Sequence, residues 1–189
     1  MTVVPAPSTS SDTAHLDNAF WRFSLSFYAR AGIAPACLIL QNRLGIDVNV
    51  LLLSIFAAVE RRHILSADDL RSADDTVAAW RSAIVAQLRR IRTDLKSGPP
   101  PAPSAATEDL RSQVKAAELK AEQIEQAMLL AWLDHRRSSL STPPPLDADE
   151  LLQRITGHFC AELTEAPDAE VAAAMRTLSE AITHAARSG

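Results

Sequence analysis

Polar and aromatic side chains that could bind a ligand are concentrated in one apolar segment near the N-terminus. Residues 20–62 read FWRFSLSFYARAGIAPACLILQNRLGIDVNVLLLSIFAAVERR. Polar groups within such a segment either satisfy buried backbone groups or line a pocket, and the sequence leaves both open. The candidate ligand-binding residues are Trp21, Arg22, Tyr28, Gln41 and Asn49, and Ser24 could line the same pocket.

No combination of residues in the sequence indicates a catalytic or metal site. Cys37 has no histidine near it, and the five histidines are scattered. His158 and Cys160 are two positions apart on a predicted helix, so they point in different directions. Glycine-rich phosphate loops, HExxH and GxSxG are absent from the sequence. We predict no catalytic residue, no metal and no cofactor, and whether the protein is an enzyme stays open.

Asp47, in the sequence GIDVN, could contact a cation or a polar ligand. One carboxylate is too few for a calcium-type site, whereas aspartate is a preferred residue at helix N-termini. We therefore predict that Asp47 caps a helix over residues 48–62.

Charged residues in the second half of the chain predict solvent-exposed helix faces. Arg89, Arg92 and Lys96 could contact phosphate, but cations near a helix C-terminus also stabilise the helix dipole. The net charge is −4, so we predict no nucleic-acid binding. Mixed charges at helical spacing also predict a solvated face between residues 108 and 126. Its members are Glu108, Asp109, Arg111, Lys115, Glu118, Lys120, Glu122 and Glu125.

The elements that position these residues are predicted to be helices throughout. The 189-residue chain is 47% hydrophobic but only 5% aromatic, and it lacks long β-branched alternation. Gly32, Gly45 and Gly98 are predicted to end helices. The sequence predicts an all-α fold, a compact helical bundle with a long helical hairpin and a C-terminal amphipathic helical tail.

The hairpin is predicted on either side of the proline-rich residues 98–106. The sequence SADDL, which begins at Ser66, resembles a capping box and predicts a short helix that ends near Ala73. Asp74 or Asp75 would then cap a separate helix that reaches residue 96. Its predicted apolar stripe contains Val77, Trp80, Ile84, Leu88, Ile91 and Leu95. The second arm, residues 108–137, has a heptad pattern. Its predicted seam contains Leu110, Val114, Ala117, Ala121, Ile124, Met128 and Ala131.

Composition divides the chain into a disordered leader (1–15), a helical domain (16–137), a Pro/Ser linker (138–146) and a helical tail (147–189). The tail has two apolar stripes. Short helices are stabilised mainly by packing, so each stripe is expected to be buried against another surface. We predict a protein partner or self-association through these C-terminal helices, with docking on the body as the alternative. The stripes are Leu151, Ile155, Phe159 and Leu163, then Val171, Met175, Leu178 and Ile182.

The runs FWRFSLSFY and GIAPACLILQNRLGIDVNVLLL resemble a proteobacterial family of small proteins of unknown function, and LKAEQIEQAMLLAWL resembles its C-terminal helix. The resemblance covers roughly residues 17–135. It implies a bacterial source but no activity and no site residues.

Two functions are compatible with the sequence. The first is a non-enzymatic protein–protein interaction or adaptor module. The alternative is a small-molecule binding protein, or an enzyme of unfamiliar type, with a pocket among the first three helices. The N-terminus has no secretory signal, and the apolar run 48–59 is shorter than the roughly 20 residues of a membrane span. We predict no membrane span and a cytoplasmic location.

Overall fold

The computed structural model describes residues 16–136, 146–160 and 168–188, and it is helical throughout these ranges, as predicted. The predicted leader, the linker except Leu146, and Leu163 of the first predicted tail stripe lie outside the described residues. The helices are α1 (Ala19–Tyr28), α2 (Ile33–Leu44), α3 (Val48–Glu60), α4 (Ala67–Trp80), a π-helical turn (Arg81–Val85), α5 (Ala86–Ser97), α6 (Ala105–Arg136), α7 (Ala148–Phe159) and α8 (Ala169–Ser188).

Side-chain caps fix the starts of α1, α3 and α4. The carboxamide of Asn18 accepts a hydrogen bond of 2.8 Å from the Trp21 N–H. The carboxylate of Asp47 accepts one of 2.9 Å from the Val50 N–H, which confirms its predicted capping role. Ser66 and Asp69 form a reciprocal capping box.

Two glycines allow the sharp changes of direction around α2. Gly32 precedes the helix with a φ of 80°, and Gly45 follows it with a φ of 65°. Both values lie in the left-handed region, which only glycine adopts readily. The α1–α2 pair is bent by 99° at this break.

The two helices predicted between Ser66 and Lys96 are one continuous helix. No break occurs at residues 73–75, because α4 continues through the π-helical turn into α5. Asp74 is therefore not a cap; its Oδ1 accepts a hydrogen bond of 2.6 Å from Arg81. The hairpin itself is present, since α5 packs along α6 after the proline-rich connection.

The π-helical turn changes which residues of α5 face α6. Such a turn adds one residue, so each later position is displaced by about 100° around the helix axis. Ile84 and Ile91, predicted in the interface, are exposed. Val85 is buried instead, and Arg89 and Arg92 contact α6.

The predicted seam of α6 is correct only in part. Leu110, Ala117 and Ala131 are exposed, although Ala121 is buried. The buried positions of the helix also include polar residues, and one of them, Glu118, pairs with arginines of α5. All the buried positions of α6 are Glu118, Ala121, Glu125, Gln126, Leu129 and Leu133.

A single hydrophobic cluster joins the N-terminal helices to the predicted tail. Phe20, Phe27 and Phe56 are buried in it. Ile155 of α7 and Leu178 of α8 are buried in the same cluster, so both helices dock on the body. The Arg30 guanidinium also donates a hydrogen bond of 3.1 Å to the Ala181 carbonyl of α8.

Within the described ranges, no single helix is long and apolar enough to cross a membrane. Only the bent pair α1–α2, taken together, reaches the required length and composition.

Candidate functional site

A pocket of about 400 Å³ lies where α1, α2 and α3 meet the hairpin formed by α5 and α6. Four of the five predicted ligand-binding residues line it: Trp21, Tyr28, Gln41 and Asn49. The other lining residues are Ser24, Leu25, Leu38, Asn42, Val48, Leu52, Arg89, Arg92, Thr93, Glu118, Leu119, Glu122 and Gln126.

Arg22, the fifth predicted residue, lies outside this pocket. Its guanidinium is exposed and donates a hydrogen bond of 2.8 Å to the Asp17 carbonyl. The neighbouring positions 21 and 22 point about 100° apart on a helix, so Trp21 faces the pocket and Arg22 does not.

Helix α1 contributes one face to the pocket, because its lining residues follow i, i+3, i+4 and i+7 spacing. Ser24 is 3% exposed, and no atom of the described protein hydrogen-bonds its hydroxyl. Tyr28 is half-buried, and burial, followed by the nearby Cys37 and Glu122, raises the pKa of its phenol. The phenol therefore stays protonated at neutral pH.

Asn49 and Gln126 connect α3 to α6. The Asp47 cap fixes the first turn of α3 and so the position of Asn49. The Gln126 Nε2 donates a hydrogen bond of 2.9 Å to the Asn49 Oδ1. Gln126 is 3% exposed, and its Oε1 has no hydrogen-bond donor among the described residues.

Two arginines of α5 pair with two glutamates of α6 along one side of the pocket. Arg89 donates to Glu118 at 3.1 Å and to Glu122 at 2.8 Å. Arg92 donates to both carboxylate oxygens of Glu118. These contacts correct the prediction that Glu118 and Glu122 lie on a solvated face, and that Arg89 and Arg92 act mainly on the helix dipole.

The two glutamates respond differently to this environment. Burial favours protonation of Glu118, but hydrogen bonds from Arg92 and Arg89 outweigh it and lower the pKa. Burial raises the pKa of Glu122, and the single Arg89 partner opposes that rise only in part. Of the two, Glu118 is therefore the carboxylate more strongly held in its charged form.

Glu125 lies one turn further along α6 and is fully buried. Neither carboxylate oxygen has a hydrogen-bond partner among the described residues. Asn49 lies close enough to lower the pKa of Glu125 but outside hydrogen-bond geometry. Burial and then the Asp47 charge raise the pKa of Glu125 to about 8, against an opposing contribution from Arg81. This carboxyl group, also predicted on a solvated face, is a buried acid that is mostly protonated at neutral pH.

Arg81 holds the end of this polar region together from the π-helical turn. Its Nη1 lies 3.2 Å from an oxygen of Asp47 and 2.6 Å from an oxygen of Asp74. His158 of α7 approaches the second Asp74 oxygen at 3.3 Å. Ionisable side chains therefore connect α3, α4 and α7.

The site does not have the features of a metal centre or a cysteine nucleophile. Within residues 16–136, 146–160 and 168–188, no three His, Cys, Asp or Glu side chains are placed to hold a metal ion. Burial raises the pKa of Cys37 to about 12, which keeps the thiol protonated. The arrangement is suited to binding through hydrogen bonds and apolar contact.

The residues that sequence reasoning missed are on the hairpin. Arg89 and Arg92 have the spacing of one helix face, and so do Glu118, Glu122 and Glu125. In an antiparallel hairpin, two such faces of opposite charge can align. This charge complementarity is the feature of the sequence from which the pairing could be predicted. Gln126 gave no signal of its own.

Residues 19–129 match the model of the family described as protein of unknown function (DUF2390). The match covers more than half of the chain, so the chain belongs to that family. Every residue that lines the pocket lies within the matched segment. No curated protein and no solved structure was found to match the chain.

Proposed function

We propose that the protein binds a small organic molecule in the pocket between α1, α2, α3 and the α5–α6 hairpin. The observation that carries the proposal is that two residues lining the pocket each have a buried polar atom with no hydrogen-bond partner among the described residues, Ser24 Oγ and Gln126 Oε1. Buried polar atoms almost always have hydrogen-bond partners, so two such atoms in one pocket are well suited to a ligand.

The size and lining of the pocket support the same proposal. Its volume of about 400 Å³ falls within the range of small-molecule sites, roughly 300–1,000 Å³. Aromatic and aliphatic side chains line it together with a larger number of polar and charged ones, so it offers both apolar contact and hydrogen-bonding groups. Trp21, Tyr28, Gln41 and Asn49 are proposed as ligand-binding residues, and Arg22 is not.

The test is a thermal-shift screen of a metabolite library against three forms of the full chain. Leu119→Trp adds bulk at an exposed position that lines the pocket, and Leu110→Trp is the matched control. Both leucines are exposed on α6, but Leu110 does not line the pocket. A ligand at 100 times its Kd stabilises the protein by about 2.7 kcal/mol.

We expect compounds that raise the Tm of the wild type and of Leu110→Trp but not that of Leu119→Trp. The proposal is wrong if no compound raises the wild-type Tm, or if every active compound stabilises Leu119→Trp equally.

A protein interaction or adaptor module is the second candidate. Ile84 and Ile91, seven positions apart in sequence, are both exposed on the hairpin, and this supports association with another copy or another protein. The apolar stripes of α7 and α8 support it less, because Ile155, Leu178 and Ile182 are buried against the body. Light scattering of Ile91→Glu, with Arg90→Glu as control, tests self-association through the hairpin.

A cytoplasmic location and a bacterial source are part of the proposal. The first is supported by Cys37 and Cys160, which are both free thiols. Disulfides are rare in reducing compartments, so free cysteines are compatible with the cytoplasm.

A further inference from the structure

We infer that the ligand is an uncharged amphiphile with an alcohol or amide head group that donates a hydrogen bond. Its head would contact Ser24 and Gln126, and its apolar part would cover the leucines that line the pocket. This inference rests on the proposed function and adds the chemical class of the ligand.

The hydrogen-bonding state of Gln126 determines which head groups fit. One N–H of its Nε2 is committed to Asn49, and its Oε1 is the atom that no described residue hydrogen-bonds. An acceptor without a partner requires a ligand N–H or O–H. The Ser24 hydroxyl can donate or accept, so it is compatible with a ligand alcohol or with the carbonyl of an amide.

The charges of the pocket disfavour an ionic head group. Arg89 and Arg92 are the cations that line it, and both are paired with Glu118 or Glu122. An anionic ligand would have to compete with these carboxylates. A cationic ligand would meet glutamates that already accept hydrogen bonds from arginine. In either case, the charged group of the ligand would lose its hydration and find no unpaired opposite charge in the pocket.

The apolar part of the ligand is inferred from three half-exposed leucines. Leu25 of α1, Leu38 of α2 and Leu119 of α6 are 51%, 47% and 51% exposed, and all three line the pocket. A single exposed leucine is ordinary on a protein surface. Three from different helices at one pocket form a surface that a hydrocarbon chain would remove from water.

The test uses four six-carbon compounds that differ only in their head groups: hexanamide, 1-hexanol, hexanoate and hexylammonium. Each is titrated into the full chain at neutral pH, and binding is followed by the methyl NMR signals of Leu25, Leu38 and Leu119. This readout detects weak binding and reports its place.

We expect hexanamide and hexanol to bind at least about tenfold more tightly than the two ions, since an unpartnered charge costs more than one hydrogen bond. Gln126→Met, which keeps the approximate shape but removes both the acceptor and the donor to Asn49, should weaken hexanamide by about tenfold. Gln113→Met is the matched control on an exposed position of α6. Ser24→Ala provides a second variant if Gln126→Met does not fold.

The outcomes separate this inference from the proposed function. If hexanoate or hexylammonium moves the three leucine signals at concentrations as low as hexanamide does, the pocket binds ligands but the inferred class is wrong. The same holds if hexanamide binds the Gln126→Met and Ser24→Ala proteins as tightly as the wild type. If none of the four compounds and no compound of the metabolite library moves these signals, the proposed function fails as well.

Discussion

Gln126 of α6 donates a hydrogen bond of 2.9 Å to the Oδ1 of Asn49 on α3, so a single contact joins two walls of the pocket. The bond is partly buried and links residues 77 positions apart in sequence. It also determines which atom of Gln126 is left for a ligand.

Replacing Asn49 with leucine should destabilise the protein. The Nε2 of Gln126 would be left buried without a partner, which costs about 1–3 kcal/mol of unfolding free energy. Urea unfolding followed by circular dichroism measures the loss. Asn42→Leu, at an exposed position that also lines the pocket, should change the value by less than about 0.5 kcal/mol. If Asn49→Leu unfolds at the same urea concentration as the wild type, the hydrogen bond does not contribute to stability.

Glu125 should make stability fall as the pH rises. Its pKa is raised from 4.5 in the unfolded chain to about 8 in the folded protein by burial and by Asp47, with Arg81 opposing. The folded state therefore binds the proton more tightly, and stability is lost between about pH 4.5 and pH 8. Glu125→Gln should match the wild type near pH 5 and exceed its stability near pH 9.

The size of the Glu125 effect should be a few kcal/mol at most, because one pKa unit corresponds to about 1.4 kcal/mol. Urea unfolding across this pH range measures it, with Glu180→Gln at an exposed position of α8 as control. Equal pH profiles for the wild type and Glu125→Gln would contradict the assignment of a buried, mostly protonated acid.

The helix starts were accessible from the sequence because caps act locally. Asp47 and Ser66 need only backbone N–H groups three residues away, so the sequence alone predicts their role. The pocket was only partly predictable. Trp21, Tyr28, Gln41 and Asn49 were noted as polar and aromatic residues in an apolar segment, whereas the hairpin wall depends on which face of α5 meets α6.

That face could not be read from the sequence, because a π-helical turn has no local signature comparable to a cap. A regular helix places Ile84 and Ile91 inward, and one additional residue in the turn replaces them with Val85 and Arg92. Once Arg92 points at α6, Glu118 becomes a buried partner rather than a solvated charge. A single local irregularity therefore explains several of the wrong predictions.

Asp47 should contribute more to stability than a cap alone. Its carboxylate accepts a hydrogen bond from the Val50 N–H and also lies 3.2 Å from Arg81. Asp47→Ala should cost more than the roughly 1 kcal/mol of a lost cap. Asp47→Asn keeps a capping oxygen and should cost less, which thermal unfolding of both variants measures. Equal losses for the two would show that the charge, rather than the cap, determines the contribution of Asp47.

Phe56 should be among the most sensitive core positions. Its ring lies 5.3 Å from that of Phe20 and 5.4 Å from that of Phe23, measured between centroids, and the side chain is 2% exposed. Phe56→Ala should lower the unfolding free energy by about 3–5 kcal/mol. A loss below about 1 kcal/mol in a denaturant melt would place Phe56 at the periphery, since surface changes rarely exceed half that value.

The π-helical turn should tolerate the loss of one residue but not the gain of one. Deleting Ser82, which is exposed, removes the additional residue and leaves Arg89 and Arg92 facing Glu118 on a regular helix. Inserting an alanine after Ser82 rotates everything that follows by a further 100° or so and separates these pairs. Thermal unfolding should therefore show a much larger fall in Tm for the insertion than for the deletion. If the deletion is as damaging as the insertion, the turn has a role other than setting the register of α5.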